Sequence, residues 1–131
     1  MSFALDVSKF VEKAKKNPEK VMRQVSIKLF SAIIKATPVD TGRARNNWFA
    51  SGSTPSQETT TYGAPQGTAT IQRVTAVINT ATDWGEFTLT NNLPYIQRLE
   101  YGWSQQAPQG MVRTNISRFQ QLINEEANKV K

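Results

Sequence analysis

The stretch TPVDTGRAR at residues 37–45 marks the place where a helical pattern of sequence gives way to a β-type pattern. Pro38 disfavours helical geometry at Thr37, so we expect a helix to end there. Asp40 can accept hydrogen bonds from the backbone amides of a turn, and Gly42 permits the positive φ with which a chain changes direction. The stretch therefore predicts a helix-to-strand connector.

Two helices are predicted before this connector, because apolar residues recur there at intervals of three and four. The first covers residues 3–16 and has a lysine-rich outer face. The second has Asn17 as its N-cap and Pro18 at its first helical position, and it ends at Thr37. Its apolar face is wider than one partner could cover, so we expect this helix to lie centrally.

After the connector, three stretches predict β-strands: residues 45–51, 70–80 and 86–91. In the second of these, Val74, Ala76 and Ile78 alternate with more polar residues and are expected to face the helices. Residues 52–68 are rich in Ser, Thr, Gln, Gly and Pro, and a structureless loop of that length is uncommon in a compact domain. We expect an exposed, mobile loop there.

The C-terminal part of the sequence predicts a short helix at residues 95–101 and, after a polar loop, a long amphipathic helix over residues 111–130. Residues 1–131 are thus expected to form a single α+β domain. In this fold, an antiparallel sheet of three to four strands packs against the N-terminal helices and the long C-terminal helix.

A second distinctive stretch, PYIQRLEYG at residues 94–102, is followed by APQGMVR at residues 107–113. The side chains expected to pack on the sheet are Tyr95, Leu99, Tyr101 and Trp103. Glu100 is then the candidate ion partner of Arg43 or Arg45, which should project from one side of the first strand.

The chain contains no cysteine and no histidine, which excludes disulfides, thiol nucleophiles, zinc fingers and imidazole catalysis. Phosphate-binding glycine-rich loops are also missing. Asp83 and Glu86 are the one acidic pair that suggests glycosidase chemistry, but their place in a turn between strands explains them better. We therefore expect no enzyme activity, no cofactor and no metal.

The longest apolar run, residues 29–34, is too short to span a bilayer, and the first residues do not resemble a signal peptide. Neither a membrane partner nor export is expected. The net charge of +6 lies in residues 1–48, which carry ten basic and four acidic residues, whereas residues 49–131 carry six of each. This basic third could face DNA, or its lysines could simply be the solvated faces of two helices.

Together and in this order, the two distinctive stretches resemble the tail-completion and head–tail joining family of long-tailed bacteriophages, which is the minor tail protein Z-like family. The matching segments are TPVDTGRARNNW at residues 37–48, YIQRLEYG at residues 95–102 and PQGMVR at residues 108–113. Ala44 and Ile96 depart from the residues that are common in the family. The residues that this resemblance assigns to the motif, as interface or fold-stabilising positions, are Pro38, Asp40, Thr41, Gly42, Arg43, Arg45, Trp48, Tyr95, Glu100, Tyr101 and Gly102.

The resemblance implies a non-enzymatic structural protein of the virion, made in the host bacterial cytoplasm. It implies a homo-oligomeric ring, a hexamer, at the head–tail junction, where the partners are the head connector or adaptor and the tail terminator or tail tube. DNA passes through such a ring, and Lys13, Lys15 and Lys16 are the candidates for lining its channel.

Two other functions compete with this one. The first is a small basic nucleic-acid-binding protein, in which Tyr62, Tyr95, Tyr101 and the three tryptophans stack on bases. The second is an enzyme that acts on cell-wall sugars through Asp83 and Glu86.

Overall fold

The computed structural model describes residues 2–6, 18–39, 42–61, 64–101, 110–116 and 118, with Ser2–Asp6 described by its backbone. These residues form a mixed fold of helices and strands, which confirms the predicted mixture of the two. In chain order the elements are β1 (Ser2–Asp6), α1 (Pro18–Ala36), α2 (Arg43–Asn46), β2 (Trp48–Ser51), α3 (Thr68–Thr80), β3 (Glu86–Asn91), α4 (Ile96–Glu100) and α5 (Val112–Ile116).

The sheet of the described residues has the strand order β1-β3-β2, and both pairings are antiparallel. Residues paired across two strands lie on the same face of a sheet. Leu89 is paired with Ala50 of β2 on one side and with Phe3 of β1 on the other. Phe87 and Leu89 are fully buried, so this face of β3 contributes to the hydrophobic core.

Helix α1 is the centre of the core, as the width of its apolar face predicts. It spans nineteen residues from Pro18 to Ala36 and buries eight of them. The largest side chains that it buries completely are Met22, Leu29, Phe30, Ile33 and Ile34. Against them pack the inner face of the sheet and the buried residues of α3, Val74 and Ile78.

The predicted strand at residues 70–80 is wrong, because this segment is the thirteen-residue helix α3. Its buried residues are Thr70, Val74 and Ile78, which are spaced by four, whereas Ala76 is exposed. Val74 and Ile78 fit a helical period as well as an alternating one, so the pattern of apolar residues is ambiguous here. The many β-branched residues of this segment then favour a strand, which is the wrong alternative.

The predicted first helix is also wrong at its start, because Ser2–Asp6 forms strand β1. Phe3 and Leu5 alternate along this strand and are paired with Leu89 and Phe87. The paired residues of the two strands are 80 to 88 positions apart in the sequence, and local periodicity does not show such a pairing. Residues 7–17 lie outside the described part of the chain.

The predicted strand at residues 45–51 is wrong in its first part, because Arg43–Asn46 is a helical turn and β2 begins at Trp48. Gly42 precedes this turn with a φ of 87°, a conformation that favours glycine. Between α1 and β2 the chain therefore passes through Gly42, which has a left-handed conformation, and then through the short helix α2.

The predicted loop at residues 52–68 contains no strand in its described residues, and α3 begins at Thr68. Most of its side chains are exposed, but hydrogen bonds attach it to the rest of the fold. Asn92 Nδ2 donates to the carbonyl oxygens of Ser56 and Glu58, both at 3.0 Å. The mobility of this loop stays a prediction.

Helix α4 confirms the predicted short helix at residues 95–101, and α5 begins where the long C-terminal helix was predicted to begin. Residues 117 and 119–131 lie outside the described residues, so the length of that helix stays a prediction. No helix in the described part of the chain has both the length and the apolar character that crossing a membrane requires.

The helical state of residues 68–80 can be tested with Ala76→Glu. Because Ala76 is exposed on α3, a glutamate there should change the free energy of unfolding by less than about 0.5 kcal/mol. Ile78→Ala, at a completely buried position, should lower it by about 2–5 kcal/mol. Chemical denaturation of both variants measures these values, and an Ala76→Glu cost as large as that of Ile78→Ala would indicate a strand.

Candidate functional site

The first motif segment is fixed by a buried hydrogen bond between the end of α1 and the start of β2. Trp48 Nε1 donates to Thr37 Oγ1 at 2.8 Å, and Thr37 Oγ1 donates to the carbonyl oxygen of Ile33 at 2.8 Å. Trp48 and Thr37 are both completely buried. Since a buried indole N–H needs an acceptor, Thr37 both ends the helix and positions the tryptophan.

Arg45 binds the last carbonyl groups of α1. Its Nη2 donates to the carbonyl oxygens of Lys35 at 2.8 Å and Thr37 at 3.0 Å, and its Nη1 donates to that of Pro65 at 2.8 Å. The end of a helix has carbonyl groups without helical partners and a partial negative charge, so a guanidinium stabilises it. Burial lowers the pKa of Arg45, and the group nevertheless remains a cation at neutral pH.

Asn46, at the end of α2, bonds to the end of the loop at residues 52–68 and to the start of α3. Its Nδ2 donates to the carbonyl oxygens of Gly42 at 2.8 Å and Ala64 at 2.7 Å, and its Oδ1 accepts from Thr70 Oγ1 at 2.6 Å. The residue is almost completely buried. All these hydrogen-bonding groups are therefore matched in the interior of the protein.

Asn47 and Asn91 also connect separate segments of the chain by side-chain hydrogen bonds. Asn47 exchanges two hydrogen bonds with the backbone of Thr60, each at 2.8 Å. Asn91, at the end of β3, donates from Nδ2 to the carbonyl oxygen of Ala44 at 2.8 Å. Sequence reasoning missed all three asparagines, although a pair of amides directly before a core tryptophan is a usable signal of a buried polar cluster.

Arg73 attaches helix α3 to strand β2. Its guanidinium lies 4.0 Å from the centre of the Phe49 ring, and Nη2 donates to the carbonyl oxygen of Trp48 at 2.7 Å. Burial lowers the pKa of Arg73, while the carboxylate of Glu58 acts in the opposite direction. The contact places a cation against β2, an edge strand of the described sheet.

The second motif segment is organised by Glu100, which is 3% exposed. Oε1 accepts hydrogen bonds from the backbone N–H groups of Met111 and Val112, both at 2.8 Å. Oε2 accepts from the backbone N–H of Arg113 at 2.9 Å and from its Nε at 3.1 Å. The carboxylate therefore satisfies the free N–H groups at the start of α5 and pairs with one arginine.

This geometry corrects the predicted ion pair. Glu100 pairs with Arg113, whereas Arg45 donates to backbone carbonyls at the end of α1. The helical turn of α2 directs Arg45 toward α1, which the predicted strand would not do. Gly110 has a φ of 87°, and a Cβ at this position would lie 2.8 Å from Glu100 Oε2, so glycine permits the close approach.

Tyr101 is exposed rather than packed on the sheet as predicted. Its side chain is 66% exposed, and the guanidinium of Arg113 lies 4.9 Å from the centre of its ring. Tyr95 and Leu99 are partly buried against the core, as predicted. Trp103 lies outside the described residues.

The structure describes three more of the predicted site residues, and the others lie in segments that it does not describe. Pro38 and Gly42 are buried in the connector, and Arg43 is exposed on α2. The positions outside the described residues are Asp40, Thr41, Gly102, Tyr62, Lys13, Lys15 and Lys16.

The acidic pair suggested for glycosidase chemistry has a local role in the turn before β3. Asp83 Oδ1 accepts a hydrogen bond from the backbone N–H of Gly85 at 3.1 Å, and Glu86 is the first residue of the strand. Among the described residues, no group of three acidic side chains is arranged to hold a metal ion.

The two motif segments thus form a framework of buried hydrogen bonds around the ends of three helices. No family model, curated protein or solved structure matches the chain. The geometry itself assigns these motif residues to positioning the connector and the last described helix.

The Trp48–Thr37 hydrogen bond can be tested with Thr37→Val, which has nearly the same shape but no acceptor. Because it leaves a buried indole N–H without a partner, the free energy of unfolding should fall by about 1–3 kcal/mol. Thr80→Val is the matched control, since Thr80 is exposed and water can replace its bond to Ala76. Equal costs for the two variants, measured by urea denaturation, would contradict the proposed role of Thr37.

Glu100→Gln tests the carboxylate that caps α5. The amide places an NH₂ group against backbone donors and removes the charge, so unfolding should become easier by about 1.5–3 kcal/mol. Glu19→Gln, which removes an exposed charge from an ion pair within α1, should cost less than about 1 kcal/mol. Thermal and urea unfolding of the two variants give the comparison, and a Glu100→Gln cost below that of the control would refute the capping role.

Proposed function

We propose that this protein is a structural component of a bacteriophage virion that forms a ring at the head–tail junction. Six copies close the ring, which joins the tail to the head connector or adaptor and allows DNA to pass. On the tail side it contacts the terminator or the tail tube. The protein acts by shape and assembly, and not by catalysis.

The observation that carries the proposal is the ordered pair of motif segments at residues 37–48 and 95–113. Each segment alone is short, but together and in this order they resemble the sequence pattern of the tail-completion and head–tail joining family. In the structure both segments have defined framework roles, through Thr37, Arg45 and Trp48 in the first and Glu100 in the second. This supports their interpretation as fold-determining positions of one domain.

Ring formation also suits the physical character of the chain. A closed ring uses heterologous contacts, in which two different patches of one subunit meet across each interface. The framework residues hold the connector internally, and the aromatic side chain of Tyr101 is exposed at the surface. Aromatic residues and arginine are enriched at the centres of protein interfaces.

We propose further that α5 is the beginning of a long C-terminal helix. The apolar residues that continue its spacing are Ile116, Phe119, Ile123, Ala127 and Val130. The candidates for lining the DNA channel of the proposed ring are Lys13, Lys15 and Lys16.

A small nucleic-acid-binding protein is the second candidate function. It is favoured by the net charge of +6 and by the exposed lysines of α1. The two functions predict different locations for the chain. A virion component is a fixed part of the particle, whereas a free nucleic-acid-binding protein is not.

Cryo-electron microscopy of purified virions tests the proposed function. We expect density for six copies of this chain in a ring between the head connector and the tail, and particles lacking the chain should yield separate heads and tails. Adding the purified wild-type chain to a mixture of these separate heads and tails should restore joined particles. Absence of the chain from the joined particle would overturn the proposal and favour the nucleic-acid-binding function.

A further inference from the structure

The loop that follows β2 contains a strand-like segment that is held by two side-chain amides. Asn92 Nδ2 donates to the carbonyl oxygens of Ser56 and Glu58, both at 3.0 Å. Asn47 exchanges hydrogen bonds with the backbone N–H and C=O of Thr60, both at 2.8 Å. The bonded residues are spaced by two, which is the period of an extended chain. We call the five residues from Ser56 to Thr60 the extended segment.

The opposite edge of the extended segment has no partner in the part of the chain that the structure describes. Successive residues of an extended chain present their backbone N–H and C=O groups to opposite edges. Gln57 and Thr59 therefore direct these groups away from Asn47 and Asn92. Both residues are exposed, and neither makes a hydrogen bond within the described structure. The segment thus offers a free strand edge.

Strand β1 offers a second free edge. It is an outer strand of the sheet, and among the described residues it pairs with β3 alone. The other outer strand, β2, differs from β1 because Arg73 donates to the carbonyl oxygens of Asn46 and Trp48 at its start. Backbone groups of β2 are therefore already bound by a side chain of α3.

The two free edges lack the residues with which proteins usually prevent unwanted strand pairing. Lysine and proline are the common blocking residues of edge strands. Strand β1, Ser2–Asp6, contains neither, and the extended segment contains neither. Each edge is also five residues long, so one can pair with the other over its whole length. Strand pairing at these edges is therefore not blocked by their sequences.

We propose that β1 of one copy of this chain pairs with the extended segment of the next copy through backbone hydrogen bonds. A second copy is the partner that fits, because each copy carries both edges and neither edge has a basic residue. Two copies with a net charge of +6 each can then meet without bringing basic side chains of these edges together. The contact is heterologous, so it adds copies head to tail until a ring closes. This inference rests on the proposed function for its setting, since a ring needs such a contact.

Disulfide trapping of the full chain tests the pairing, because the chain has no cysteine of its own. Ala4→Cys is purified and mixed with Gln57→Cys or with Thr59→Cys, and each mixture is oxidised. Facing residues of paired strands lie about 5 Å apart, a distance that a disulfide bridges. Intact mass spectrometry should show mixed dimers in about tenfold excess over dimers of one variant with itself.

The matched control mixes Ala4→Cys with Thr80→Cys, an exposed threonine at the end of α3. This pair should give no excess of mixed dimers. Ser2→Cys, which shares a face of β1 with position 4, provides a second thiol position if Ala4→Cys lowers the thermal stability of the fold. A mixed dimer that does not exceed the control, or a predominant dimer of Thr59→Cys with itself, would overturn the inference.

A proline at position 59 tests whether the backbone makes the contact. In the Gln57→Cys chain, Thr59→Pro removes an N–H group that the fold does not use, whereas Thr59→Ala keeps it. We expect the proline variant to lower the yield of mixed dimers with Ala4→Cys to that of the Thr80→Cys control, and the alanine variant to keep the full yield. Equal yields from the two variants would contradict backbone pairing.

The proposed ring and the strand pairing can fail independently. Virions without this chain, together with preferred mixed dimers of the purified variants, would overturn the ring and leave the contact between copies in place. A ring of this chain at the junction, together with mixed dimers at the control level, would overturn the strand pairing alone.

Discussion

The hydrogen bond from the Trp48 indole to Thr37 Oγ1 determines how the helical and β parts of this protein meet. It ties the last turn of α1 to the first residue of β2 in a region where neither group can bond to water. Arg45 reinforces the same point by binding the carbonyl groups that the end of α1 leaves without partners. The connector therefore joins the central helix of the core directly to the strand that pairs with β3.

Buried amides extend this constraint to distant parts of the chain. Asn46 bonds to both Ala64 and Thr70, so one side chain fixes the end of the long loop and the start of α3. Asn91 binds the carbonyl oxygen of Ala44, which holds β3 against the connector. Each of these amides bonds to atoms at fixed positions in other segments. If one segment shifted along another, the amide groups would be left without partners in a low-dielectric interior. The network therefore favours one arrangement over other compact ones.

Local sequence patterns predict the elements whose stabilising contacts are local. Helix α1 has a start signal at Pro18, a stop at Pro38 and a wide apolar face, and it forms as predicted. Helix α3 was predicted wrongly because Val74 and Ile78 satisfy both periods, and the packing against α1 decides between them. Strand β1 and the bonds of Glu100 depend on partners distant in the chain, and no local pattern reports such partners.

The framework residues bear on the proposed assembly through the shape of the subunit. Thr37, Arg45, Trp48 and Glu100 use their polar groups within the fold, so changing them alters the shape of the subunit before it alters any contact outside. In a six-membered ring each copy is rotated by about 60° from the last, and a small error in subunit shape is repeated at every interface until the ring fails to close. A rigid connector is thus what the proposed assembly requires most.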